Sequence, residues 1–398
     1  MQNEARALLA AGTGVTVICP RATPDEAEVH DHDGVTVRSY APPPPTSGIL
    51  SYFREFVVAW LRTAQLSWRC HRSEGFAVLQ ACNPPDTYWL LALIWRLWGK
   101  GFVYDQHDLC PEVFLDRFGR RSFRDRVLHR LLLWLERASY ATADLVVSPN
   151  ESYREIATGR GRVPLDRTTI VMSTPDHRIM RRSEPKPGAR DRFANLVVYV
   201  GVMGPQDGVE RVLDTARTLR DRGRDDIRFV LLGFGDSEPR LRRLSAQFGL
   251  DGHVHFTGRV QQPEVVAWLS AADVGLTPDP PSAFNERSTM NKTLEYMACE
   301  LPVVATDLLE TRRSAGEAAV YVQTVEEMAD AVDALLDDPA RRGWMGAVGR
   351  ARIEGELSWD RFAHAYVAAV QRVLSKGARG ARGPVGGGAA RPIEASRL

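Results

Sequence analysis

The residues best suited to chemistry lie in one stretch, Phe284 to Asp307 (FNERSTMNKTLEYMACELPVVATD). It opens polar, carries Lys292 and Glu295 three positions apart, runs through a short apolar stripe, and meets Pro302 before a Val-Val pair. That order predicts a loop, a helix start, one helix and a buried strand. A helix N-terminus offers unpaired backbone N–H groups and the positive end of the dipole, which suits a phosphate. Ser288, Thr289 and Asn291 can cap or extend that donor array, and Lys292 adds a point charge. Glu295 lies about one turn further on, on the same face as Lys292, where a carboxylate accepts hydrogen bonds from sugar hydroxyls. On spacing alone, both would also fit a solvated helix surface.

Other candidates are plainer. The HDHD run from His30 to Asp33 has the composition of metal ligands, but adjacent strand residues point to opposite faces. Asp33-Gly34 is also a turn signal, so a solvated hairpin is expected there rather than a metal site. Gly233 and Gly235 form a lone GxG before a helix and read as a turn. His107, between a strand and Pro111, fits a packed or capping histidine as well as a catalytic one. Arg117 to Arg130 holds six arginines against Asp125 alone. Its apolar residues Phe118, Phe123, Val127, Leu128 and Leu131 allow a basic amphipathic helix. An anionic lipid surface would attract it by about 1 kcal/mol per basic residue. A charged surface helix accounts for the same residues.

The elements that must position these groups follow from the rest of the chain. Its 398 residues favour more than one domain. With 44% hydrophobic and 25% charged residues and a net charge of +1, nothing global points to nucleic acid or membrane. Five cysteines, odd in number and without a CxxC pair, argue for a reducing compartment and against disulfides or structural zinc. No run of about 18 apolar residues predicts a membrane span. The first residues, MQNEARALLAAG, already read as an amphipathic helix rather than a signal peptide. A cytoplasmic protein is expected.

Along the chain, helices alternate with short apolar strands, among them VTVICP, FAVLQAC, FVYD, DLVVS, LVVYVG, RFVLLG, HVHFTG, VGLTP and the Val-Val strand after Pro302. One basic helix is expected over about 117–139, and a loop at Pro42 to Pro45. The alternation predicts α/β architecture with largely parallel, doubly wound sheets. Residues 1–179 form a first Rossmann-like domain, 180–194 a linker, and 195–357 a second domain. Residues 358–375 form a helix crossing back to the first domain, and 376–398 a disordered Gly-, Ala- and Arg-rich tail. Ligands belong at strand carboxyl ends, in the cleft between the two halves.

With these segments placed, the chain resembles a family 4 glycosyltransferase of GT-B fold from Asn3 to about Leu374. The resemblance is carried by NEARALLAAG–VTVICP, the NPPD turn, YDQHDLCPE, YVGVMGPQDGVERVL, LLGFGDSEPRLRRL, HVHFTGRV, AADVGLTP, STMNKTLEYMA and LPVVATD in that order. VMGPQDG with STMNK…EYMA is similar to a subgroup associated with bacterial surface polysaccharide and amino-sugar transfer. The resemblance implies a nucleotide-sugar donor on the second domain, an acceptor on the first, retention of configuration, and no cofactor or metal. Glu295 matches the glutamate that holds the ribose. Ser288, Thr289, Met290, Asn291 and Lys292 match the segment that meets the diphosphate. Arg259 and Val260 match the strand end beside the base, and Gly201 to Gly204 the glycine loop. His107 matches a first-domain histidine near the transferred sugar, and Asn83 and Asp86 lie on the acceptor side.

Departures sharpen the expectation. Val202 and Asp207 stand where the family commonly carries a basic pair, so Lys292 is expected to supply the charge facing the diphosphate. Glu286 and Glu295 are nine apart rather than eight, and Arg287 stands at the expected spacing. Arg287 is a further candidate to assist the phosphates. The family's first strand is missing before the NEA helix, so a start set too far downstream is expected, the alternative being a first sheet short of one strand.

The resemblance implies a retaining, metal-independent hexosyl- or N-acetylhexosaminyl-type transferase, with His107 and Lys292 as catalytic residues. It would move a sugar from a donor such as a UDP-sugar to a saccharide or lipid-linked saccharide in surface glycoconjugate synthesis. A peripheral station on the inner face of the plasma membrane through 117–131 is expected, and no nucleic-acid partner. A UDP-sugar 2-epimerase of the same fold and a non-catalytic nucleotide-sugar-binding protein remain alternatives.

Overall fold

The computed structural model describes residues 2–21, 23, 25–42, 49–120 and 122–380. Its first half runs α1 (Gln2–Ala10), β1 (Thr16–Pro20), β2 (Val29–His32), β3 (Val35–Tyr40), α2 (Ile49–Ser73), β4 (Val78–Cys82), α3 (Tyr88–Arg96) and β5 (Gly101–Asp105). Then come α4 (Cys110–Phe118), α5 (Phe123–Thr142), β6 (Leu145–Ser148), α6 (Glu151–Thr158) and β7 (Thr168–Ile170). The second half begins with β8 (Asn195–Val200), α7 (Glu210–Asp221), β9 (Ile227–Leu232), α8 (Glu238–Gln247), β10 (Val254–Gly258), α9 (Gln262–Ala271) and β11 (Val274–Thr277). It continues through α10 (Asn291–Ala298), β12 (Val303–Thr306), α11 (Leu309–Ala315), β13 (Ala319–Val322), α12 (Val325–Asp337), α13 (Pro339–Glu354) and α14 (Trp359–Gly380).

The second half is one six-stranded parallel sheet, ordered β10-β9-β8-β11-β12-β13. Its central strands are largely apolar because both faces are covered. Leu196 and Val198 of β8 enter one core, while Val197 and Tyr199 enter the other. Strand order reverses between β8 and β11, the position where an open α/β sheet leaves a crevice for a ligand. The glycine loop leaves β8 there, and the Phe284 stretch follows β11.

The first half holds two sheets. β4-β5-β6-β7 is parallel, whereas β1 pairs parallel with β3 and β2 runs antiparallel to it. Among the described residues no ladder joins β1 to β4. β1 is therefore an edge strand, and its residues are half-buried or exposed. The helix predicted to cross back does so. Tyr366, Ala369, Val370 and Val373 of α14 pack with Leu8, Val103, Leu145 and Val147 on one sheet face. Phe102, Tyr104 and Val146 meet Ala92, Tyr140 and Ala157 on the other.

Three boundaries differ from expectation. The basic stretch is two helices: Gly119, at φ 68°, stops α4, and Ser122 starts α5 through a reciprocal capping box with Asp125. Residues 180–194 are not a free linker. They bury Met180, Ala189 and Phe193, and Arg190 pairs with Asp273. α14 runs to Gly380, five residues into the predicted tail; 381–398 lie outside the described residues, as do 43–48 of the Pro42 loop. The HDHD residues form the expected β2–β3 hairpin.

Candidate active site

The expected donor half is assembled at the carboxyl ends of β8, β9 and β11. Its loops touch through backbone. A Cβ added to Gly233 would sit 1.8 Å from the Gly201 carbonyl oxygen, and one on Gly235 2.5 Å from that of Met203. GFG is thus required for loop contact, beyond serving as a turn. Gly201, at φ 153°, also covers the Lys292 stem, since its Cβ would lie 3.2 Å from Lys292 Cε. Gly204 N–H donates to Asp207 (2.9 Å). Burial and the neighbouring Asp279 raise the Asp207 carboxyl, with Lys292 opposing them.

Lys292 differs from expectation. Its ammonium is buried under the loop, donates 2.7 and 2.9 Å hydrogen bonds to both oxygens of Asp279, and lies 4.0 Å from Asp207. A lysine this deep requires a carboxylate partner before any ligand arrives. α10 starts at Asn291 after Met290, which supplies no side-chain cap; Thr293 N–H donates to the Met290 carbonyl (3.0 Å), which leaves the N–H groups of Asn291 and Lys292 at the helix opening. Ser288 donates to the Phe284 carbonyl (2.9 Å), and the Thr289 hydroxyl accepts from Asn150 (3.0 Å). Arg259 stacks over Phe234 at 4.7 Å, and Val260 packs on the core beside it. Glu286 accepts from Leu309 N–H (2.9 Å) and so caps α11, while Arg287 donates to the Ala283 carbonyl.

Glu295 lines a cleft cavity of about 260 Å³ together with Asn291, Glu4, the 172–175 segment and Trp359. Burial pushes its carboxyl up to about 7, against the pull of Lys292. Both halves of the chain contribute to this wall.

On the acceptor half, His107 Nε2 lies 3.4 Å from Asp105 Oδ2. The Asp105 hydrogen bond raises the imidazole's pKa, with burial opposing. Burial likewise works against ionised Asp105, but His107, Cys82 and Gln80 outweigh it and hold that carboxyl below its usual value. Asn83 and Asp86 are each 4% exposed, so neither offers a surface to an acceptor. Asn83 Oδ1 instead accepts from the backbone N–H groups of His107 (2.7 Å) and Asp108 (3.2 Å), fixing the histidine loop. Asp86 accepts from Tyr104 OH beneath the same loop.

Cys82, Asp105 and His107 place one ligand atom each within 4.8 Å of one another. The Cys82 thiol donates to Asp105 (3.3 Å), and burial pushes its pKa far up. In this geometry the three side chains form a hydrogen-bonded support for His107.

Contacts between the halves carry no motif in the sequence. Asn150 reaches Arg287 and Thr289, Asp116 accepts from Ser282, and buried Glu310 accepts from Ser152. Arg313 ties Glu310 to Glu155. The donor loop is thereby held from the opposite domain.

Comparison with known proteins places this arrangement. Residues 1–173 match the glycosyl transferase 4-like domain, and residues 194–338 match glycosyl transferases group 1. The chain is 34% identical over 308 residues to a D-inositol 3-phosphate glycosyltransferase of Pseudarthrobacter chlorophenolicus, covering 72% of this chain and 70% of that one. It is 26% identical over 345 residues to the alpha-D-kanosaminyltransferase of Streptomyces kanamyceticus, covering 82% and 86%. Sucrose-phosphate synthase from Thermosynechococcus elongatus superposes with a TM-score of 0.74 at 18% identity, over 94% of this chain and 92% of that chain. Anabaena HepE in complex with UDP-glucose does so with a TM-score of 0.64 at 14% identity, over 84% and 86%. The two superpositions bear on fold, and the two family models with the 34% identical relative bear on lineage. The chain belongs to the family 4 glycosyltransferases and has their GT-B fold.

Proposed function

We propose that this glycosyltransferase is retaining and metal-independent, and moves a hexosyl or N-acetylhexosaminyl group from a UDP-sugar to a saccharide or lipid-linked saccharide. One observation carries the reading: Asn291 at the start of α10 and Glu295 one turn on line the same cavity, and the glycine loop covers the stem of Lys292 between them. The α10 amides meet the diphosphate and offset charge as it leaves. Glu295 accepts from the ribose hydroxyls. Arg259, on Phe234, flanks the base. Lys292 acts at one remove, setting the field under Gly201 while Asp279 shares its charge. His107, steadied by Asp105 and Asn83, lies on the acceptor side and orients the transferred sugar. In this reading the leaving phosphate takes the acceptor proton on the same face. The UDP-glucose complex of the structural neighbour and the amino-sugar name of one relative support the donor class.

The same reading seats the first domain against an anionic membrane, as lipid-linked acceptors require. Leu97 (82% exposed) with Leu90, Leu93 and Ile94, and Phe123 (73% exposed) with Val127 and Leu131, leave apolar faces of α3 and α5 in water. Exposed Arg117, Arg120, Arg124 and Arg130 accompany them.

The test is nucleoside diphosphate release from a panel of UDP- and GDP-sugars, with and without EDTA and with candidate acceptors. Acceptor-dependent UDP release that survives EDTA supports the reading. Release from GDP-sugars alone would overturn the donor assignment. Interconversion of the donor without an acceptor would favour the epimerase.

A further inference from the structure

Asn150 belongs to the first domain, where it caps α6, yet its side chain ends in the donor loop of the second. It is 1% exposed. Its Oδ1 accepts from Tyr153 N–H (2.9 Å), and its Nδ2 donates to the Arg287 carbonyl (2.8 Å) and to Thr289 Oγ1 (3.0 Å). The orientation of the amide is fixed by chemistry. A backbone N–H only donates and a carbonyl only accepts, so Oδ1 must face Tyr153 and Nδ2 must face Arg287. Both amide hydrogens are then committed, the second to the Thr289 hydroxyl oxygen.

A hydroxyl that accepts from an amide retains its own proton for donation. Thr289 lies two residues before α10, beside the open N–H groups of the first turn. We propose that Asn150 is a positioning residue that holds Thr289 with its hydroxyl proton directed to the donor's diphosphate, so that the acceptor domain sets the polarity of the donor site. This rests on the donor reading above. It predicts that closing the two domains completes the anion site, since the amide that polarises Thr289 arrives from the other side of the cleft. Asn150→Asp reverses the arrangement: the carboxylate would accept from Thr289, withdraw its proton from the ligand, and add negative charge facing the diphosphate.

Calorimetric titration of the full chain with UDP, GDP and the matching nucleosides tests this. For the diphosphate that binds wild type, Asn150→Asp and Thr289→Val are each expected to weaken affinity by about tenfold to a hundredfold, the range for a hydrogen bond to a charged group. Affinity for the nucleoside should be unchanged. Thr289→Ser, which keeps the hydroxyl, should restore the wild-type ratio. Thr289→Val leaves the α6 cap intact and serves if Asn150→Asp fails to fold. Equal losses for diphosphate and nucleoside, or no loss for either, would overturn the positioning role while leaving the donor reading standing. Failure of wild type to bind either diphosphate would remove both.

Discussion

The Lys292 ammonium sits between the two oxygens of Asp279, at 2.7 and 2.9 Å, with the lysine 8% and the aspartate 2% exposed. The charge expected to face the donor is thus already engaged, and a second carboxylate, Asp207, stands 4.0 Å away. Lys292→Met would leave Asp279 buried and unpaired, at a cost of about 3–5 kcal/mol. Lys292→Met with Asp279→Leu should recover most of that loss in urea unfolding, because a buried pair replaced by apolar groups is often neutral. Asp279→Asn should release the ammonium and tighten UDP binding by up to about tenfold. Weaker UDP binding in a folded Asp279→Asn variant would show that the pair itself, rather than the free charge, serves the site.

If Glu295 accepts from the ribose as proposed, it gives the donor site a pH dependence. Its carboxyl is pushed up to about 7 by burial. Sugar hydroxyls donate to the ionised form, so donor affinity should be full above about 7 and fall as pH drops below it. Stability runs the other way. A raised carboxyl favours the folded state in acid, and that contribution is lost as pH rises from the unfolded value of 4.5 to about 7. Affinity for uridine, which carries the ribose but not the phosphate that itself titrates at about 6, should slope from about pH 5.5 to about pH 8.5 in wild type and lie flat in Glu295→Gln. A slope that persists in the variant would assign the titration elsewhere.

His107 and Asp105 make a second, separable prediction. Asp105 holds the imidazole charged to higher pH than an ordinary histidine. Asp105→Asn should therefore move the His107 limb of the pH–rate profile to lower pH. Asn83→Ala, which frees the loop but leaves the carboxylate, should lower kcat without moving that limb. A limb unmoved in Asp105→Asn would exclude His107 as its source.

The apolar faces of α3 and α5 predict membrane affinity. Wild type should co-sediment with phosphatidylglycerol vesicles more than with phosphatidylcholine vesicles, increasingly so at low salt. Leu93→Glu with Leu97→Glu should reduce binding to both. Arg124→Glu with Arg130→Glu should abolish only the preference for anionic lipid. Equal and negligible sedimentation with both vesicles would remove the membrane from the reading.

Much of the fold was legible because β8, β9, β11 and β12 each hold a run of three or more apolar or small residues, and a strand covered on both faces needs such a run. The chemistry was less legible wherever a partner lies far along the chain. Lys292 reads as an open cation because Asp279 is hidden in the turn-like PDPP segment, and nothing local signals their pairing. Glu286 looks like a displaced site glutamate, yet it caps a helix that starts 23 residues later. Asn150 carries an ordinary N-cap signal that says nothing of its second role across the cleft. The break between α4 and α5 could have been read from Gly119 and the Ser122–Asp125 box, which the apolar spacing on either side obscured.

The last described helix has a consequence for the order in which the protein is made. Residues of α14 complete the core around Val103, Leu145 and Val147, although more than 200 residues separate them in the chain. The fully buried core residues of the six-stranded half lie within 172–357, with Phe362 of α14 packed against their edge, so this half can begin to fold once that segment is synthesised. The acceptor half, although translated first, must wait with one sheet face uncovered until α14 emerges. Nascent chains truncated before Trp359 should therefore be protease-resistant in the donor half alone, and a ribosome stalled there would carry an exposed apolar surface for chaperones to hold.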